Sequence, residues 1–312
     1  MKNKRVVVTG GAGFIGSHLA EELAGRGYSV TILDDLSTGK VENISYLLEL
    51  KESNIEFIQG SITDLPLLQK LFKGVDHVFH QAALARVPHS IDDPLSTNEV
   101  NITGTLNVLV AARDNKVTKV IYAGSSSAYG DTSTLPQKED MPSDPVSPYA
   151  LTKLAGEYYC SVFRRIYGLS TVCLRYFNVY GSRQDPHSQY STVVPAFIGA
   201  ISQNRSPVIF GDGEQSRDFT FINDIVQANI LAAENIAEGV YNIGSGNSST
   251  INQLTEAIMK LLKKNLKPIH DKPRLGDPRQ TLADISKARQ FGYEPKWMLQ
   301  DGLRKTIEDF KW

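Results

Sequence analysis

Little in this 312-residue chain invites covalent staples or metals. It has two cysteines, Cys160 and Cys173, with no CxxC pair, and its six histidines form no HExxH or other metal-ligand spacing. A disulfide framework is excluded, no metal site is expected, and both cysteines read as reduced core thiols. An excess of one charge is missing too. Thirty-three Lys and Arg against 34 Asp and Glu leave a net charge of -1, which removes the general electrostatic case for a nucleic-acid binder or an acidic tail. No stretch approaches the ~20 apolar residues of a membrane-spanning helix. Residues 1–5 run straight into an apolar strand, leaving no room for a signal peptide, so the expected compartment is the cytoplasm. There is no fixed-period repeat, and low complexity is confined to Ser125-Ser126-Ser127. What remains, 41% hydrophobic and 21% charged, suits an ordinary folded protein. At roughly 150 residues per domain the length suggests two domains or one large one.

The first half alternates short apolar runs with helical patterns. Val6-Val7-Val8, Val30-Thr31-Ile32-Leu33, Phe57-Ile58, Val78-Phe79, Val120-Ile121-Tyr122 and Thr171-Val172-Cys173-Leu174 read as buried strands, with helical periodicity over 14–26 and 95–115. Strands apolar on both faces and separated by helices imply a doubly wound parallel α/β sheet of the Rossmann kind. Beyond Asn178, prolines punctuate shorter elements, and two helices are predicted over 251–264 and 299–310. This texture predicts a first domain over 1–177 and a smaller mixed α/β domain over 178–312. The chain is expected to cross back to the first domain around 221–242. The basic cluster within 260–267 reads as a solvated helix face.

The first strand is followed by Gly10-Gly11-Ala12-Gly13-Phe14-Ile15-Gly16 and then a helix. Glycines at this spacing permit a tight turn, a close backbone approach to a pyrophosphate and close helix–strand packing, while the helix dipole favours the anion. Glycine triplets alone are weak, but here the strand and helix that the motif requires flank them. Asp34 closes the second strand 18 residues after Gly16. A carboxylate there accepts hydrogen bonds from an adenosine ribose and repels a 2′-phosphate, and Asp35 adds a second negative charge. The expected cofactor is therefore NAD and not NADP.

Tyr149-Ala-Leu-Thr-Lys153 opens a helix that should run to Tyr167. Residues four apart share a helix face. An adjacent ammonium, together with a positive nicotinamide ring, is expected to lower the phenol from its usual ~10 toward neutrality, which makes Tyr149 a general base for a sugar hydroxyl. As a bare pattern YxxxK also describes ordinary surface pairs. Its position downstream of a dinucleotide loop, and beyond the strand end Gly124-Ser125-Ser126-Ser127-Ala128-Tyr129-Gly130, gives it weight. Hydroxyls at the carboxyl end of a parallel strand face the ligand crevice, although serines also mark simple polar turns. His18, in the first helix, reads as a packing residue.

Taken together, these residues resemble the extended short-chain dehydrogenase/reductases, and among them the UDP-hexose 4-epimerases. The resemblance covers nearly the whole chain. It rests on residues 9–16 and 34–39, His80-Gln81-Ala82-Ala83, Asn101, residues 125–130, Tyr149 to Lys153, Arg175-Tyr176-Phe177-Asn178-Val179-Tyr180-Gly181, Arg183-Gln184-Asp185-Pro186, Ser216-Arg217-Asp218-Phe219 and residues 274–277. It implies that Ser125, Tyr149 and Lys153 are catalytic. It also implies that Gly10, Gly13, Phe14, Ile15, Gly16, Asp34, Gln81, Ala82, Ala83 and Asn101, with Tyr149 and Lys153, hold the cofactor. Asn178, Arg217 and Arg274 would hold a UDP diphosphate, and Asp277 would lie near the uridine ribose. Where many relatives read Gly-Asp-Ile this chain has Gly60-Ser61-Ile62, so an adenine contact is expected from Ser61 or from the Ile62 backbone. The resemblance further implies a homodimer through the helices at 95–115 and 147–167.

Related dehydratases and decarboxylases carry acidic residues where this chain has Ser126 and Ser127. Without a carboxyl group there, epimerisation through a 4-keto sugar survives and the other two reactions do not. A substrate-side role is expected for both serines. The resemblance places Thr281, two residues before Ala283-Asp284, at the gate where a bulky Tyr restricts relatives to glucose and galactose; a small Thr should admit N-acetylated hexoses. Arg86 leaves an alternative open, because a cation near the sugar could pair with the C6 carboxylate of UDP-glucuronate or simply face solvent. A non-catalytic NAD-binding regulator would be expected to have a broken Ser-Tyr-Lys set, which is intact here.

Overall fold

The structure is a computed structural model that describes residues 4–50, 54–185, 192–273 and 278–310. Strands and helices alternate in chain order through β1 (Arg5–Thr9), α1 (Phe14–Gly25), β2 (Ser29–Asp34), α2 (Ser45–Glu49), β3 (Ile55–Gln59), α3 (Leu65–Leu71) and β4 (His77–His80). Then come α4 (Val87–Asp92), α5 (Pro94–Asn98), α6 (Gly104–Asp114), β5 (Lys119–Ser125), α7 (Pro148–Tyr167) and β6 (Ser170–Tyr176). The shorter remainder is β7 (Val179–Tyr180), α8 (Val193–Ser202), β8 (Val208–Phe210), β9 (Ser216–Arg217), β10 (Thr220–Phe221), α9 (Ile222–Glu234), β11 (Gly239–Ile243), β12 (Ser249–Thr250), α10 (Ile251–Leu262), β13 (Ile269–Asp271), α11 (Ser286–Arg289) and α12 (Leu299–Asp309).

Seven strands form one sheet in the order β11-β6-β5-β4-β1-β2-β3, with every pairing parallel. Alternation along the strands explains why each expected strand looked apolar on both faces. Val6, Val8, Ile121, Val172 and Leu174 enter one apolar cluster, while Val7, Val120, Tyr122 and Cys173 enter another. Successive side chains point to opposite faces, so each cluster is a helix-covered face of the sheet. The order reverses between β1 and β4. After β3 the chain returns to the other side of β1, which leaves a crevice at the carboxyl ends of these two strands.

Local chemistry sets the helix that matters most. The Ser147 side chain accepts from Ala150 N at 3.2 Å, Pro148 stands in the first turn, and Gly168 ends α7 with φ 69°. Gly156 in the middle of α7 lies against Tyr122, whose hydroxyl would be 2.2 Å from a Cβ there. That close approach seats the helix on β5. The helix expected over 95–115 is present as α5 and α6 joined by a π-helical turn at Glu99–Thr103, a single-turn irregularity of the kind that re-aims side chains.

The segment from Ile222 to Ile243 runs back onto the sheet, with α9 against α1 and β11 paired to β6. Small paired strands (β7 with β10, β9 with β12, β8 with β13) and α8, α10 and α12 make up the rest beside the carboxyl ends. No helix among the described residues is long and apolar enough to cross a membrane. No group of three or more His, Cys, Asp or Glu side chains among them is placed to hold a metal ion. Cys160 and Cys173 are buried thiols. His18 packs edge-on against Phe14 and bonds Ser182 O at 3.1 Å, and burial pushes it down to about 4.

Candidate active site

A cavity of about 1020 Å³ opens at the carboxyl ends of β1 and β4 and continues between the sheet and the small paired strands. That is the upper end of the range for one small-molecule site. Gly10, Gly13, Phe14, Ile15 and Gly16 line one end. Gly10 has φ +68°, and a Cβ on it would lie 2.6 Å from Ala82 N. On Gly16 a Cβ would lie 2.1 Å from Gly10 O. Nothing but glycine fits this cradle. The N-cap of α1 is Gly13, which has no capping side chain, so the first turn presents backbone N–H groups and the positive dipole end to the cavity.

Asp34 accepts from Ala12 N at 3.0 Å and Leu36 N at 2.8 Å. Burial pushes its carboxyl up, and these backbone donors pull it back. The carboxylate thus shapes the glycine loop while facing the cavity together with Asp35; spare lone pairs remain for ribose hydroxyls. A cradle that a single Cβ would fill, beside a buried acidic acceptor, fits an adenosine diphosphate moiety without a 2′-phosphate. Gln81, Ala82, Ala83 and Ile62 continue this lining. Gln81 Nε2 donates to Tyr176 Oη at 3.2 Å and Asn229 Oδ1 at 3.1 Å.

At the floor, Tyr149 and Lys153 project from one face of α7 beside Ala123 and Gly124. The Ser125 hydroxyl lies close enough to the Tyr149 phenol to draw it down. Lys153 is 4% exposed, and its Nζ donates to Ala123 O at 2.9 Å. Burial lowers Lys153 to about 8, against an opposing pull from Glu157. Burial also pushes the Tyr149 phenol up, with the Ser125 hydroxyl the opposing influence. The expected depression of Tyr149 by Lys153 is therefore not produced by the protein's own groups. Burial outweighs the opposing Ser125 hydroxyl, and the positive ring of the cofactor would be a further source of depression.

On the far side Asn178, Arg217 and Arg86 line the cavity as expected for a substrate side. Arg217 is 6% exposed and donates to Ser216 O at 2.8 Å. Other expected residues stand behind the lining. Asn101 spends its amide on Leu84 N (2.8 Å), Leu84 O (3.1 Å) and Thr152 Oγ1 (3.0 Å), so it pins the loop beneath the cavity instead of facing into it. The Ser61 hydroxyl accepts from Thr63 Oγ1 at 3.0 Å within its own turn, and it is Ile62 that lines the cavity. Ser127 Oγ donates to Ser125 Oγ at 2.8 Å, and none of Ser125, Ser126 and Ser127 joins the lining. Thr281 is buried between Asn178 Oδ1 (3.2 Å) and Asp218 N (3.3 Å), which makes it a brace for Asn178 and not a wall of the cavity. Arg274 and Asp277 lie outside the described residues.

The sequence reading missed several features. Lys40 and Asp185 pair at 2.9 Å, and both line the cavity. Asp218 accepts from Ser245 N (2.7 Å), Gly246 N (3.0 Å) and Ala283 N (3.2 Å), tying three loops beside Arg217. Val208, Phe210 and Gln215 line the end beyond Arg217. Among the described residues the carboxylates that line the cavity are Asp34, Asp35 and Asp185, none of them at the Ser125 strand end.

Residues 6–244 match the protein family described as the NAD dependent epimerase/dehydratase family. The UDP-glucose 4-epimerase of Mycolicibacterium smegmatis is 39% identical over 312 residues, covering 98% of each chain. A solved UDP-N-acetylglucosamine 4-epimerase from Methanobrevibacter ruminantium, in complex with UDP-N-acetylmuramic acid, superposes with a TM-score of 0.95 at 44% identity, covering 99% of this chain and 98% of that one. The UDP-glucuronic acid 4-epimerase from Bacillus cereus, in complex with UDP-glucuronic acid and NAD, superposes at 0.91 with 36% identity over 98% of each chain.

Proposed function

Because this chain belongs to the NAD dependent epimerase/dehydratase family and is an NAD-dependent UDP-sugar 4-epimerase, we propose that it inverts C4 of UDP-glucose and UDP-galactose and of their N-acetylated counterparts. The observation that carries this reading is the Tyr149–Lys153 pair at the floor of a cavity whose other end is the glycine cradle, with Ser125 acting on the phenol from behind the lining.

NAD held by the glycine cradle and Asp34 would supply the acceptor for the C4 hydride and its return. The chain's residues do the rest. Tyr149 takes the proton of the C4 hydroxyl through its Oη and gives it back, with the Ser125 hydroxyl bridging the reacting oxygen and the phenol. Arg217 and Asn178, the latter braced by Thr281, grip the diphosphate by charge-assisted and neutral hydrogen bonds. Tight hold on the nucleotide with loose hold on the sugar lets the 4-keto intermediate turn its other face without leaving. No acid stands where Ser126 and Ser127 do, so proton removal at C5 has no base.

Arg86 in the lining favours a second reading, UDP-glucuronate, whose C6 carboxylate it would pair. Incubating the protein separately with UDP-glucose, UDP-N-acetylglucosamine and UDP-glucuronate and following the C4 configuration by NMR decides among them. Conversion of none would sink the reading, and conversion of the glucuronate alone selects the second.

We assign the NAD-holding part to residues 1–177 with the returning segment 221–242, and the UDP-sugar part to the rest of 178–312. Reduced Cys160 and Cys173 support a cytoplasmic location. Leu151, Tyr158, Val162 and Ile166 form an exposed apolar stripe on α7, with Leu95 of α5 82% exposed nearby in the fold. This stripe supports the homodimer.

A further inference from the structure

Two buried charges stand directly behind the Tyr149–Lys153 pair and take no part in the steps above. Glu157 lies one helical turn beyond Lys153 on the same face of α7, and it is 4% exposed. A Cβ on Gly124 would lie 3.0 Å from its Oε1, so the carboxylate is held against the strand end that carries Ser125. Arg175, also 4% exposed, clamps it through Nε at 3.0 and 3.2 Å and through Nη2 at 2.8 Å. Burying such a pair is weak as a stabilising device, because desolvation offsets most of the attraction. Burial pushes the Glu157 carboxyl up, and the Arg175 clamp draws it back toward the charged form, one helical turn from the buried Lys153.

The need for it follows from proton counting. For Tyr149 to act as a base the Tyr149–Lys153 pair must hold one proton, and that proton has two arrangements with the same net charge: phenolate with ammonium, or phenol with neutral amine. Only the first has a base. Burial favours the second, since it pushes the phenol up and the ammonium down. The other groups that face Lys153 cannot reverse this. His80 from β4 is held neutral by burial, at about 3, and Tyr122 from β5 is a buried phenol pushed up by burial. Glu157 is the negative group near the ammonium, and it lies two helical turns from the phenol.

We infer that Glu157, clamped by Arg175, is a positioning residue that keeps the shared proton on Lys153 and so leaves Tyr149 free to act as the base. The inference rests on the reading of Tyr149 as base. The proton moves only between Tyr149 Oη and Lys153 Nζ, and no other reactant is involved.

The test uses the NAD-loaded enzyme and its near-ultraviolet tyrosinate absorbance, with the same protein carrying Tyr149→Phe as the blank. Wild type should show a Tyr149 tyrosinate signal that rises as pH increases. Glu157→Gln keeps an acceptor for Arg175 but removes the charge. The signal at mid-range pH should then fall about tenfold, and kcat should fall by the same factor with KM and bound NAD unchanged. Glu157→Asp retains the charge and should keep at least half of the signal. An unchanged signal in Glu157→Gln, or a loss in Glu157→Asp as complete as in Glu157→Gln, overturns the inference. If Glu157→Gln does not fold, the aspartate variant decides, and a Glu157→Asp signal at or below about a tenth of wild type overturns the inference. A wild type that shows no Tyr149 signal counts instead against Tyr149 as the base.

Discussion

Gly16→Ala should unfold the enzyme at a lower temperature and strip it of cofactor, although the same change in most helices is favourable. Replacing glycine by alanine inside a helix ordinarily stabilises by about 1 kcal/mol. Here the new methyl carbon would lie 2.1 Å from Gly10 O and 2.8 Å from Gly11 Cα, where ordinary contact begins at 3.4 Å. Both obstacles are backbone, so no side chain can swing aside, and α1 must retreat from the loop by more than 1 Å. Overpacking of this kind costs about 1–3 kcal/mol, and the contact is at the severe end. After the propensity gain a net loss of about 2 kcal/mol remains, or roughly 3 °C for a chain of this size. Gly25, at the other end of α1, has nothing within 4 Å of its virtual Cβ and serves as the control. Thermal unfolding of both variants, with bound NAD quantified after denaturation, reads the result. Gly25→Ala should melt at or slightly above wild type with full NAD. A Gly16→Ala protein that melts with Gly25→Ala and keeps its NAD would refute the reasoning.

Further outcomes follow from the same structure. Arg217→Ala should raise KM for the UDP-sugar by about tenfold or more and leave NAD content unchanged; an unaltered KM removes Arg217 from the diphosphate grip. Tyr158→Lys, in the exposed stripe of α7, should convert a dimer to a monomer by light scattering, whereas a monomeric wild type contradicts the assembly. Burial pushes His80 down to about 3 and His77 to about 4. Both lie below the unfolded value of ~6.5, so the stability their neutral rings contribute is present above ~6.5. It is lost as pH falls toward 4 and 3, by about 1 kcal/mol per unit for each. Urea unfolding at several pH values between 7 and 5 should show this slope, and His80→Gln should remove about a third of it, because His18, also pushed down to about 4 by burial, contributes with His77. An equal slope in that variant would contradict the burial argument.

Much of this arrangement was legible because it is written in backbone needs. Val6-Val7-Val8 had to be a strand buried on both faces, and Gly10 and Gly16 had to flank a turn where no Cβ fits. Tyr149 and Lys153 share a face at any helix of that spacing. Polar motif residues were harder, since sequence does not tell which way a short side chain turns. Asn101 and Ser61 satisfy nearby backbone or hydroxyl groups, and Thr281 braces Asn178, although each had been expected to touch a ligand. Glu157 was legible in principle, four residues after Lys153 on the same helix. What the spacing did not reveal was that Arg175, from a strand later in the chain, holds it there. Long-range partners such as Lys40 with Asp185 become visible only when the sheet order is known.

The central claim is that inversion proceeds by hydride loss and return at C4, with Tyr149 moving the hydroxyl proton. It is tested most directly by running the conversion of a UDP-hexose in deuterated water and reading C4 by proton NMR. The account predicts a C4-epimerised product that keeps its carbon-bound hydrogen, no accumulation of free NADH, and no conversion with Tyr149→Phe above a trace. Deuterium at C4, or stoichiometric NADH release, would contradict it.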